Sequence, residues 1–146
     1  DTYIVSDPDA GAGYESFDDL AGKKVYATTA TNQAAMAETY LEENPGAFEL
    51  VYGEYNNEQI VQAITSGAVD ASLAPKYQVD NWNKSFSENL AIGSEPVHNS
   101  DAYLLFNKET DQAFIDAVNT ALEELKADGT IKELSEEYLD GDYVPE

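Results

Sequence analysis

Thr29-Ala30-Thr31-Asn32-Gln33 is the stretch of this chain whose residue types and order are best suited to chemistry. An apolar run over 24–27 reads as a strand ending near Thr28, and a helical pattern begins near Asn32, so Thr31 or Asn32 is the N-cap. Amides just after an N-cap have no partner inside the helix and can donate to an anion. A carboxylate held there gains roughly 0.3–1 kcal/mol from the helix dipole, and up to about 2 kcal/mol when partly buried. The same five residues would serve equally as an ordinary capped helix start.

Other side chains offer less. The chain has one histidine, His98, and no cysteine, which excludes disulfide scaffolds, thiol catalysis and zinc ribbons and leaves no histidine cluster for a metal. Asp7, Asp9 and Gly11 echo the start of a calcium loop, but Ala12 stands where the turn glycine is needed and Pro8 intrudes. With 29 acidic residues, carboxylate pairs at catalytic separation arise by chance, and none is marked as an acid and base. No catalytic residue, metal site or cofactor is expected.

The elements that must position the 29–33 turn follow from periodicity. Residues 2–5 are a short apolar run leaving into a loop at Asp7-Pro8-Asp9-Ala10-Gly11. A helix over 32–43 carries Ala35, Met36, Tyr40 and Leu41 on one side and stops at Asn44-Pro45-Gly46. A strand over 49–52, a helix over 57–66 closed by Gly67, and a strand over 69–73 come next. A third helix starts near Lys76 with Val79, Trp82 and Phe86, the tryptophan in the core. Strands over 90–92 and 103–106 remain. This alternation implies an α/β fold, a mainly parallel sheet flanked by helices, with any ligand crevice outside the carboxyl ends of the strands. Near the end of the chain Phe114, Val118, Leu122 and Leu125 recur at helical spacing, and Gly129 stops that helix. Thr130-Ile131-Lys132-Glu133 reads as a capping box opening a last helix, with Ile131, Leu134 and Tyr138 on its apolar face.

The chain's 146 residues suffice for one domain with a real core. A net charge of −22 with seven basic residues argues against nucleic acid or an anionic membrane as partner, because such binding depends on Lys and Arg neutralising phosphates. No run of about 18 apolar residues could span a bilayer. The first residues, DTYIVSDPDAG, have neither the basic start nor the apolar core of a secretory leader.

Three segments, in order, carry a resemblance: SFDDLAGKKV and YATTATNQ over 16–33, QIVQAITSGAVDASLA over 59–74, and YLLFNKETDQAFIDAVNTALEELKADGTIKELSEEYL over 103–139. They resemble the extracytoplasmic amino-acid-binding proteins of ABC transporters (solute-binding protein family 3, periplasmic binding protein type II fold). The resemblance covers nearly all residues after about position 15. It implies a hinge strand and loop from the first lobe over 1–14, the second α/β lobe over 15–98, and the return hinge strand with the C-terminal helices of the first lobe over 99–146. Most of the first lobe, with the arginine that clamps the ligand carboxylate in the family, is then missing, and this chain contains no arginine. The implied activity is that of a receptor, not an enzyme, closing two lobes around an amino acid or a derivative such as cystine. The implied partner is the permease of an ABC importer. The implied location is the periplasm or the cell surface, as a lipoprotein with a signal in the precursor. With only part of the first lobe present, the stripe from Phe114 to Leu134 is expected to fold back on residual surface or to pair with a second molecule.

In the family the turn after the lobe's first strand binds the ligand α-carboxylate through a backbone amide and a Thr hydroxyl. The resemblance places that role on Thr31 and Asn32, with Thr29, Ala30 and Gln33 around them and Ala74 and Pro75 after a later strand. Two departures stand out. Family members usually have Gly where Ala30 stands, and a Cβ limits left-handed backbone, so a turn of different shape is expected. Where the family has an Asp that pairs with the ligand ammonium, this chain has Pro75. An unpaired buried ammonium costs about 3–5 kcal/mol, so another carboxylate supplies the pairing or the ligand is not a simple α-amino acid. Asp70 is a poor substitute, because it matches a structural position. Alternatives on the same scaffold are a dehydratase-type enzyme, which Pro75 and the lone His98 disfavour, and the ligand-sensing domain of a membrane receptor.

Overall fold

The computed structural model describes residues 1–10, 13–99 and 103–144. They divide into two compact units, Asp1–Ser100 and Asp101–Glu146. The first holds strands β1 (Thr2–Ser6), β2 (Lys24–Thr28), β3 (Glu49–Gly53), β4 (Ala71–Pro75) and β5 (Ala91–Ile92), with helices α1 (Asn32–Glu43), α2 (Asn57–Thr65) and α3 (Lys76–Phe86). The second holds α4 (Gln112–Ala127) and α5 (Thr130–Leu139).

The strands form one sheet in the order β3-β2-β4-β1-β5. β2 pairs in parallel with β3 and with β4, while β1 runs antiparallel to both β4 and β5. The sheet is therefore mixed, and the cause is in the connections. Helices α1 and α2 supply crossovers after β2 and β3, which return the chain in the same direction. Among the described residues, the link from β1 to β2 contains only short 3₁₀ turns, Pro8–Ala10 and Phe17–Leu20.

Alternate residues of each strand serve opposite faces, as the pleat requires. Ile4, Val25, Leu73 and the half-buried Leu50 join Leu20, Ala37 and Phe48 on the α1 side. Val5, Tyr26, Ala74 and the half-buried Val51 join Ile60, Ile64, Val79 and Trp82 on the side of α2 and α3. Trp82 is 1% exposed, so the expected core tryptophan is there. Its indole nitrogen has no hydrogen-bond partner among the described residues. At the amino ends of the strands, Asp70 accepts from the Lys24 amide at 2.8 Å and pairs with Lys23 at 3.3 Å.

In the second unit α4 and α5 pack on each other. Two expectations fail there. Residues 103–106 are not a strand, and Tyr103, Leu104 and Leu105 are exposed. An apolar run becomes a strand only by pairing, and among the described residues no strand pairs with it. The Thr130–Glu133 capping box does not form. Gly129 takes a left-handed backbone (φ 86°) as N-cap, which puts Thr130 inside the helix, and its amide donates to Asp128 Oδ1 at 2.9 Å instead. Asp128 is correspondingly held below the usual carboxylate range by the Thr130 hydroxyl and amide. The buried residue of α5 is Ser135, whose hydroxyl donates to the Gly141 carbonyl at 2.6 Å and accepts from the Tyr143 amide at 3.0 Å. Of the apolar stripe, Val118, Leu122 and Ile131 are half-buried, while Phe114, Leu125, Leu134 and Tyr138 are exposed.

Candidate ligand-binding edge

The strand order places a switch point between β2 and β4. From β2 the chain moves outward through α1 to β3, and from β3 it crosses back through α2 to β4. Crevices at the carboxyl ends of strands flanking such a point are where open α/β sheets bind ligands. Three helices, α1, α2 and α3, begin at these ends of β2, β3 and β4. β2 and β4 pair in parallel through Val25–Ala71 and Tyr26–Ser72, so the turn after β2 and the β4–α3 junction at Pro75 leave the same carboxyl edge of adjacent strands, and the positions singled out in sequence sit on that edge.

Thr31 is the N-cap of α1: its hydroxyl accepts from the Ala34 amide at 3.2 Å and donates to the Thr28 carbonyl at 2.8 Å. One of the two N-cap candidates is thereby selected, and Asn32 becomes the first helical residue. Among the described residues the amides of Asn32 and Gln33 meet no acceptor, as the first turn of a helix dictates. Ala30 has φ 59°. An alanine thus takes the left-handed conformation despite its Cβ, held between the Thr29 amide's bond to the Gly53 carbonyl at 3.2 Å and the Thr31 cap. Thr29, Ala30 and Asn32 are exposed, Thr31, Gln33 and Pro75 are half-buried, and Ala74 lies in the core at 1% exposure. Pro75 ends β4 and directly precedes α3, with no side-chain cap.

Several residues of this edge were not singled out from sequence. Asn56 caps α2 reciprocally with Gln59, each side chain taking the other's amide at 2.9 and 3.0 Å. The N-x-x-Q spacing is a readable signal for that box. Tyr26 is buried at 1% exposure, its ring stacked on that of Tyr55 at 4.8 Å and 3°. Its hydroxyl accepts from the Tyr55 amide at 3.0 Å and lies 3.4 Å from Thr28 Oγ1. Gly53 makes room for the pair, since a Cβ there would lie 3.1 Å from the Tyr26 ring. The i, i+2 spacing of Tyr26 and Thr28 marks one face of a strand, but nothing local announces the stack.

The edge offers dipoles, hydroxyls and an aromatic ring. In the first unit the carboxylates with strengthened acidity are held elsewhere: Glu15 by the Ser94 hydroxyl and amide, Asp19 by the Glu15 and Ser16 amides, and Asp70 chiefly by the Lys24 amide. His98 is exposed, and its carbonyl takes the Thr2 amide at 2.7 Å. Among the described residues no group of three or more His, Cys, Asp or Glu is placed to hold a metal, and no helix is long and apolar enough to cross a membrane.

A five-stranded α/β lobe that presents a capped, left-handed turn and free helix amides at its switch point is a lobe of the type II periplasmic binding protein fold. Its homologues are extracellular amino-acid-binding proteins of ABC transporters, L-cystine-binding proteins among them, consistent with solute-binding protein family 3. The L-cystine-binding protein TcyK of Bacillus subtilis is 31% identical over 129 residues, 88% of this chain and 47% of that protein. The crystal structure of the probable amino-acid ABC transporter extracellular-binding protein ytmK from Bacillus subtilis superposes with a TM-score of 0.81 at 28% identity, covering 97% of this chain and 60% of that one. A putative L-cystine ABC transporter protein from Listeria monocytogenes gives 0.73 at 28% identity, covering 99% and 60%. The chain thus spans about half the length of the curated relatives it matches. No family model matches it.

Proposed function

We propose that this chain supplies the ligand-binding second lobe of a receptor for an amino acid or a derivative such as cystine, serving an ABC importer outside the cytoplasmic membrane. The first unit carries this lobe, and helices α4 and α5 would belong to the opposing lobe. The observation that carries the reading is the turn at Ala30–Gln33, where a left-handed residue, a Thr cap and two unpartnered amides converge at the switch point. A ligand α-carboxylate fits there by charge and by donor count. The names of the relatives support cystine and other amino acids as the ligand class, and an ABC permease as the partner. The relatives are named as binding proteins and not as enzymes.

The test is amide-resolved NMR of the chain titrated with a panel of L-amino acids and L-cystine. One wall of a cleft gives weak affinity, near millimolar, which corresponds to about 4 kcal/mol. Shifts concentrated at 29–33 and 75–77 are expected. Absence of shifts there with every ligand of the panel, at concentrations well above millimolar, would overturn the reading.

A further inference from the structure

The hydroxyl groups of Tyr26 and Thr28 have a hydrogen-bond polarity that can be deduced. The Tyr55 amide can only donate, so Tyr26 Oη accepts from it at 3.0 Å. Tyr26's own hydrogen then needs an acceptor, and the described residue within reach is Thr28 Oγ1 at 3.4 Å. The reverse arrangement, Thr28 donating, would leave the hydrogen of a hydroxyl on a residue only 1% exposed without a partner, which is the costlier choice. Half-buried Thr28 can instead turn its hydrogen outward. Apart from the contact with Tyr26, the Thr28 hydroxyl makes no hydrogen bond to another described residue, and the Thr28 carbonyl already accepts from the Thr31 hydroxyl. The Tyr26 ring cannot swing away, because it is packed against Tyr55 over Gly53.

We propose that the Thr28 hydroxyl is a one-way hydrogen-bond donor to the ligand's side chain, with Tyr26 as the positioning residue that sets its direction; this rests on the receptor reading above. The ligand selected at this point carries a carbonyl or carboxylate oxygen in its side chain, and a side chain that only donates, or is purely apolar, is disfavoured. Tyr55, half exposed beside the donor, supplies the apolar wall along which that side chain lies.

The test compares two neutral amino acids of similar length, L-glutamate γ-methyl ester, whose side chain only accepts, and L-norleucine, which does neither. Affinities come from NMR titration of the chain. The ester is expected to bind about five- to tenfold more tightly, the ratio a neutral hydrogen bond provides. Thr28→Val should remove that ratio, weakening the ester about five- to tenfold relative to norleucine. Tyr26→Phe frees the Thr28 hydroxyl to rotate, so it should narrow the ratio although Thr28 is intact; a purely packing role for Tyr26 would change stability and leave the ratio alone. Equal binding of both ligands to the unaltered chain would overturn this inference and leave the receptor reading standing. Absence of shifts at 29–33 with both of these ligands and with every ligand of the panel above would overturn both.

Discussion

Replacing Ala30 by glycine should stabilise the first unit, although the same substitution is destabilising at almost any other alanine. The backbone there sits at φ 59°, where a Cβ crowds the following carbonyl and costs about 1–2 kcal/mol. Glycine removes that strain but also loosens the unfolded chain, which offsets about 0.4–1 kcal/mol. The net gain is therefore about 0.5–1 kcal/mol. For a unit the size of Asp1–Ser100 this raises Tm by about 2–8 °C. Urea unfolding followed by circular dichroism should show a higher midpoint with an unchanged slope, since no surface burial changes. Ala35→Gly is the control: Ala35 is exposed within α1, and the change should cost about 1 kcal/mol. Ala30→Val should lower stability further, because a β-branched residue tolerates positive φ worst. If Ala30→Gly destabilises by as much as Ala35→Gly, Ala30 is not left-handed, and the shape of the candidate site is wrong.

Four further outcomes follow. Thr31→Ala removes the α1 cap and should cost about 1 kcal/mol of stability, with amino-acid binding weakened about fivefold or more, whereas Thr31→Ser should preserve both. Asp70 has its folded pKa lowered, first by the Lys24 amide and then by Lys23, so its contribution is present above the usual carboxylate pKa and is lost as pH falls through the lowered value. Asp70→Asn should therefore lower Tm at pH 7 and match the parent protein in strong acid; with the side chain 36% exposed, the loss at neutrality is about 1 kcal/mol or less. Ser135→Ala deletes the acceptor of the Tyr143 amide and the donor to Gly141, and should speed hydrogen exchange at Tyr143 at least tenfold without moving the α1 amides. The exposed Phe114, Leu134 and Tyr138 should make the chain self-associate with rising concentration, and Phe114→Glu should shift sedimentation toward monomer; a strictly monomeric parent chain would refute this.

How much of the architecture could be read in advance depends on how local its causes are. The helix over 32–43 was readable to the residue, because an N-cap threonine and the Asn44-Pro45-Gly46 stop both act within one turn. α2 and α3 were readable for the same reason, from Gly67 at one end and from Val79, Trp82 and Phe86 along one face. The alternation of strand and helix also sufficed for the α/β class, since a helix between two strands returns the chain in parallel.

What the chain could not announce were relations between distant residues. The antiparallel place of β1 between β4 and β5 depends on its pairing with β4, some seventy residues away, in register from Thr2–Pro75 to Ser6–Ala71. Residues 103–106 have every local mark of a strand, yet a strand exists only through a partner, and none of the described strands pairs with them. Ala30 argued locally against a left-handed turn, but the Gly53 carbonyl and the Thr31 cap hold it there, because tertiary hydrogen bonds can outweigh about 1–2 kcal/mol of backbone strain. Thr130 argued locally for a cap, and Gly129 and Asp128 took that role instead. The sequence by itself thus determined the helices and the place of the turn between β2 and α1. Only the tertiary structure decided which strands meet, and so which side chains, Tyr26, Thr28 and Tyr55 among them, stand around that turn.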